Sequence, residues 1–103
     1  MILRYTPAAI ADLQETKTYI SKVLHNPRAA RRIALDVLNR CALLKEHPLL
    51  GMSLAAKTGE DTDLRYLLCE QHIAFYRVEG ELILIARILD SRTDYMQLLL
   101  RDK

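Results

Sequence analysis

From residue 7 onward the apolar positions recur every three or four residues. Ala9, Leu13, Thr16, Ile20 and Leu24 fall on one face, while Asp12, Glu15, Lys17 and Lys22 fall elsewhere. That spacing predicts an amphipathic helix of about five turns. Thr6 caps it, and Pro7 at the first helical position loses no needed N–H. Asn26 and Pro27 repeat the same punctuation and open a second helix to about residue 47. Its stripe is Ala30, Ile33, Ala34, Val37, Cys41 and Leu44, broadened by Leu38. Pro48 stops it and Gly51 allows a turn. So short a connection between two long helices predicts an antiparallel hairpin.

The pattern then changes. Residues 52–63 read as a surface loop. "LRYLLCE", "HIAFYRV" and "ELILIARIL" follow, rich in branched and aromatic residues and broken by Glu70-Gln71 and Glu79-Gly80-Glu81. They predict an antiparallel meander. The last run is apolar on both faces apart from Arg87, so it belongs inside the sheet. "ILRY" at residues 2–5 suits an edge strand, and Ser91 or Thr93 can cap a short helix over 94–101. The fold class expected is α+β, in the order β-α-α-β-β-β-α: an antiparallel helical hairpin packed on a small, mostly antiparallel sheet. At 103 residues this is one domain, 1–103.

Charge changes the picture little. The net charge of +2 is too weak to mark a nucleic-acid binder by itself. Residues 1–60 carry nine Lys/Arg against five Asp/Glu, whereas residues 61–103 carry six against eight. The strand-rich half is therefore slightly acidic, which weakens any phosphate-binding role for the sheet. Cys41 and Cys69 have no CxxC spacing and are expected as buried free thiols. No stretch has the build of a signal peptide or a membrane span, so a cytoplasmic protein is expected.

Candidate chemistry is sparse. His25, His47 and His72 lie in different elements at no ligand spacing, so no metal is expected. Gly51, Gly59 and Gly80 are isolated, so there is no phosphate loop, and no cofactor is expected. Nothing local supports a triad of Ser91, His72 and Asp90. The arginines stand out. Arg65, Arg77 and Arg87 fall one in each strand of the meander, with Arg92 just beyond. Neighbouring strands lie about 4.8 Å apart, so arginines at similar heights can converge on one patch. Arg65, Arg77 and Arg92 each have acids nearby in sequence, and on physics alone they read more readily as exposed ion pairs of small worth than as a site. Arg87 has only apolar neighbours, so it must find a partner, find water, or remain a costly unpaired charge.

"YTPAAIADLQETKTYI", "NPRAARRIALDVLNRCALLKEHPLLG" and "LRYLLCEQHIAFYRVEGELILIARILDSRTDY", in that order, resemble the ParE/RelE superfamily of toxins from bacterial toxin–antitoxin modules. The pieces that carry the resemblance are Ala9-x-x-Asp12-Leu13, Pro48 with Gly51, Leu64-Arg65, Tyr76-Arg77 and the terminal "RILDSRTDY". The resemblance implies a helical hairpin on a small sheet, a toxin neutralised by a cognate antitoxin in a hetero-oligomer, and a role in plasmid stabilisation and growth inhibition.

The superfamily divides in its target. RelE-like members are ribosome-dependent mRNA endoribonucleases that use basic sheet residues and a late Tyr or His. In this chain that role would fall to Arg65, Arg87 and Tyr95. ParE-like members lack a catalytic set and poison DNA gyrase. Here the sheet-rich half has no lysine before Lys103, and the position often held by His is Asp90, a poor leaving-group acid at neutral pH. The resemblance therefore favours the ParE branch: no catalytic residues, with Arg65, Arg77, Arg87 and Arg92 contacting the target. The ribosomal nuclease is the alternative. A third reading is a degenerate member that binds its antitoxin without being toxic.

Overall fold

Thr6 shows how the first helix starts. In the computed structural model, which describes residues 1–101 with side chains through Leu99, its hydroxyl accepts the Ala9 N–H at 3.0 Å. Lys103 lies outside the described residues. Helix α1 (Pro7–Thr18) follows, and Asn26 caps α2 (Pro27–Ala42) in the same way. Between them, Tyr19–Val23 form a π turn. This wider turn shifts the phase of the stripe. Leu24, expected on the buried face, is 54% exposed as a result, together with Tyr19 and Val23. A 3₁₀ turn at Leu43–Lys45 ends the hairpin.

Strands β1 (Ile2–Tyr5), β2 (Met52–Ser53), β3 (Arg65–Cys69), β4 (His72–Glu79) and β5 (Leu82–Asp90) form one sheet in the order β1-β5-β4-β3-β2. β1 runs parallel to β5 and the other pairs are antiparallel. The short β2 covers only the start of β3, and Arg40 Nε donates to the Leu68 carbonyl at 2.7 Å on the remaining edge. The stretch expected as a surface loop, 52–63, is built up instead. Besides β2 it contains the one-turn helix α3 (Leu54–Thr58), capped by Ser53 and closed by Gly59 at a φ of +77°. Leu54 is buried there, because an apolar side chain faces the sheet that the polar composition around it conceals. Helix α4 (Tyr95–Arg101) ends the described chain.

Side chains alternate along each strand, so the sheet has two cores. Ala9, Val37, Cys41 and Leu44 of the hairpin pack on Leu67, Ala74, Tyr76, Ile83, Ile85 and Ile88. On the other face Leu54 and Leu99 pack on Tyr66, Ile73, Phe75 and Leu89. Both cysteines are buried free thiols, as expected. The hydrogen bond shared with Cys69, and then burial, push the Cys41 thiol far above its usual range.

Candidate functional site

The strand that carries Arg87 breaks its own alternation. Tyr76 faces Ile85 across β4–β5, but the preceding Phe75 faces Arg87, so Ala86 is an extra residue and β5 bulges. Before the bulge, Ile83 and Ile85 face the hairpin; after it, Ile88 does. Arg87 is thereby turned out of the hairpin core. Without the extra residue it would point into that core among Ile83 and Ile85.

β1 stops pairing at Tyr5, leaving the edge of β5 bare from Ala86 onward. Two side chains of the first helical segment complete that edge. The Thr6 hydroxyl donates to the Ala86 carbonyl at 2.7 Å. The Asp12 carboxylate accepts the Ile88 N–H at 2.9 Å and binds Arg87 at two points, Nε at 2.8 Å and Nη2 at 2.9 Å. This bidentate, charge-assisted pair is mostly buried, with side chains 19% and 10% exposed. The partner missing from the sequence neighbourhood of Arg87 is thus supplied from 75 residues upstream.

Alternation also separates the arginines expected to converge. Arg65 and Arg77 stand at nearly the same height, since Arg65 faces Tyr76, yet they belong to opposite faces of the sheet. Arg65 Nη2 donates to the Gly51 carbonyl at 2.6 Å. Tyr76 secures the same loop: its hydroxyl donates to Pro48 O at 2.8 Å and accepts the Gly51 N–H at 3.0 Å. A Cβ on Gly51 would lie 2.5 Å from Tyr66 O and 2.7 Å from that hydroxyl, so only glycine fits. Arg65 is thus a bolt in the frame.

Arg77 and Arg87 do share a cleft. Both line a cleft of about 540 Å³ between α1, α3 and α4, with Asp12, Glu15, Leu64 and Met96 among its other walls. Arg77 is held by Asp63 at 3.2 Å, an exposed pair. Arg92 belongs to a second cleft, about 450 Å³, on the other side of the acidic strip of α1. Tyr19, Leu24, His72 and Asp90 line it too. Arg92 is 75% exposed and grips Asp90 through Nε at 3.0 Å and Nη2 at 2.8 Å. That hydrogen bonding holds the Asp90 carboxyl at about 2, below the usual carboxylate range. Tyr95, at the start of α4, packs its ring on Phe75 with centroids 5.2 Å apart, and Lys57 Nζ lies 5.9 Å from its face. Of the four arginines, then, Arg77 and Arg87 line one cleft, Arg92 lines a second, and Arg65 and Arg87 are both held by internal partners.

Sequence reasoning missed Asp12 as the partner of Arg87 and Thr6 as an edge cap. Thr6 was visible only as a helix cap and Asp12 only as a helix residue within the family resemblance, since the bulge that calls for both has no local signature. It also set aside His72, which is 6% exposed and faces Asp90 across the strands beside the second cleft.

A family model described as ParE toxin of type II toxin–antitoxin system, parDE, matches residues 3–95. Among solved structures, the chromosomal ParDE toxin–antitoxin system from P. aeruginosa superposes with a TM-score of 0.72 at 27% identity, covering 87% of this chain and 95% of that one. No curated protein matches. Among the described residues, no helix is long and apolar enough to cross a membrane.

Proposed function

The chain belongs to the ParE toxin family of type II toxin–antitoxin systems, and from that premise we propose that it poisons DNA gyrase and is neutralised by a cognate antitoxin. The observation that carries the choice over RNA cleavage is that Asp90 and the residues the alternative needs are bonded elsewhere. An RNA-cleaving site needs a group to remove the 2′-hydroxyl proton and another to protonate the leaving oxygen. Asp90 accepts three hydrogen bonds from Arg92, from its N–H, Nε and Nη2, and like any unburied aspartate it is ionised at neutral pH and has no proton to give. The other residues of that alternative are also engaged elsewhere. Arg65 binds a backbone carbonyl under one face of the sheet, Arg87 is clasped by Asp12, and Tyr95, half-buried, packs against the core of the opposite face.

Docking needs exposed groups rather than reactive ones. Arg92 and the partly exposed Arg77 each line a cleft that also has apolar walls. Exposed arginines beside apolar pockets are the usual anchors of protein interfaces. Arg65 and Arg87 contribute by holding the framework on which those clefts are built. Purified gyrase with relaxed plasmid tests the proposal. Toxin should block supercoiling and accumulate cleaved DNA, and adding the antitoxin should restore the supercoiled product. Unaltered supercoiling at toxin excess, with new mRNA 5′ ends on a translating ribosome, would reverse the choice. If neither target responds and induced expression leaves growth unchanged, the chain is a non-toxic antitoxin binder.

A further inference from the structure

Charge on the helical hairpin is sorted by side. The two acids of α1, Asp12 and Glu15, line the clefts next to the sheet. The opposite flank carries a shallow groove between α1 and α2 whose polar lining is Gln14, Lys17, Thr18, Ser21, Lys22 and Arg31. Among the described residues, no carboxylate lines it. Lys17, Lys22 and Arg31 are all exposed, and none belongs to an ion pair among the described residues.

We propose that this groove binds the phosphodiester backbone of duplex DNA without reading its sequence. Three unpaired cations supply the charge. Two hydroxyls and an amide beside them are the neutral donors that join Lys and Arg in phosphate contacts. Lys17, at the end of α1, and Lys22, in the π turn, stand five positions apart and line the groove together. The groove also adjoins the start of the 16-residue α2, where the helix dipole adds positive potential. An acidic protein is the weaker match. Protein interfaces centre on apolar and aromatic anchors, and the floor here offers only Ala30 and Pro27. The weak net charge conceals the site because the balancing acids face the other way. This inference does not rest on gyrase being the target, although a DNA-bound toxin would meet any DNA enzyme at raised local concentration.

The test is fluorescence anisotropy of the full chain with a labelled duplex of arbitrary sequence, titrated from about 50 to about 200 mM salt. We expect binding at low salt irrespective of sequence, with log K falling against log salt at a slope of about −3 for three phosphate contacts. The triple variant Lys17→Gln/Lys22→Gln/Arg31→Gln should bind at least about tenfold more weakly, with the slope approaching zero. Its circular dichroism should match the parent, because all three side chains are exposed. Arg4→Gln, a cation on the sheet face away from the hairpin, should bind as the parent does. Absence of binding at low salt, or undiminished binding by the triple variant, overturns the proposal. So does tighter binding to a single-stranded RNA, to polyglutamate or to anionic phosphatidylglycerol vesicles, each of which would assign the groove to a different partner.

Discussion

Arg87 and Arg92 stand five residues apart, and each grips one carboxylate through two nitrogens. Their surroundings differ. The Arg87–Asp12 pair is sealed between α1 and β5, and its carboxylate also satisfies a backbone N–H. The Arg92–Asp90 pair sits on a turn beyond the strand, open to water. One chemistry thus serves two ends. A pair that closes a sheet edge over a long sequence separation holds the fold together. A pair made within one turn in water contributes little to folding and leaves a guanidinium for a partner.

The sharpest way to break this contrast is to remove the shared acid of the sealed pair. Asp12→Ala leaves Arg87 without its carboxylate and the Ile88 N–H without an acceptor, so we expect a loss of about 3–5 kcal/mol in urea unfolding. Tyr76→Phe should come next. It frees Pro48 O and the Gly51 N–H at a cost of about 1–3 kcal/mol, measured in the same way. Arg92→Ala should leave the urea midpoint unchanged while weakening the proposed inhibition of gyrase. A fall in stability equal to that of Asp12→Ala would erase the distinction between the pairs. The smallest effect is acid dependence. Because the carboxyl of Asp90 is lowered from 3.8 to about 2 on folding, its contribution is present above the higher value and is lost as pH falls through the lower one. Comparing the parent with Asp90→Asn in acid unfolding between those limits should show a slightly shallower decline for the variant.

Periodicity made most of the architecture legible. Both helices begin at the Thr6-Pro7 and Asn26-Pro27 pairs the sequence marks, the meander has its three strands, and the edge strand is where "ILRY" stands. Three things were hidden. The π turn at Tyr19–Val23 and the bulge at Ala86 each insert one residue of phase, and a phase slip is invisible to a rule that assumes constant period. Leu54 lay in a polar stretch whose composition read as loop. The arginines were located correctly along the strands, but not by face. Arg65 fell under the hairpin while Arg77 fell on the other side, so the convergence expected of four was met by two. The charge sorting on the hairpin was equally hidden, since counting charges by sequence half averages over both flanks of α1.

Whether Arg87 serves the frame or the target is decided most directly by a double-mutant cycle on Asp12→Ala and Arg87→Ala in chemical unfolding. We expect each single variant to be strongly destabilised, and the pair to show a coupling of about 2–3 kcal/mol. An Arg87→Ala protein that unfolds like the parent, yet no longer inhibits gyrase, would contradict the assignment and make the buried arginine a contact residue.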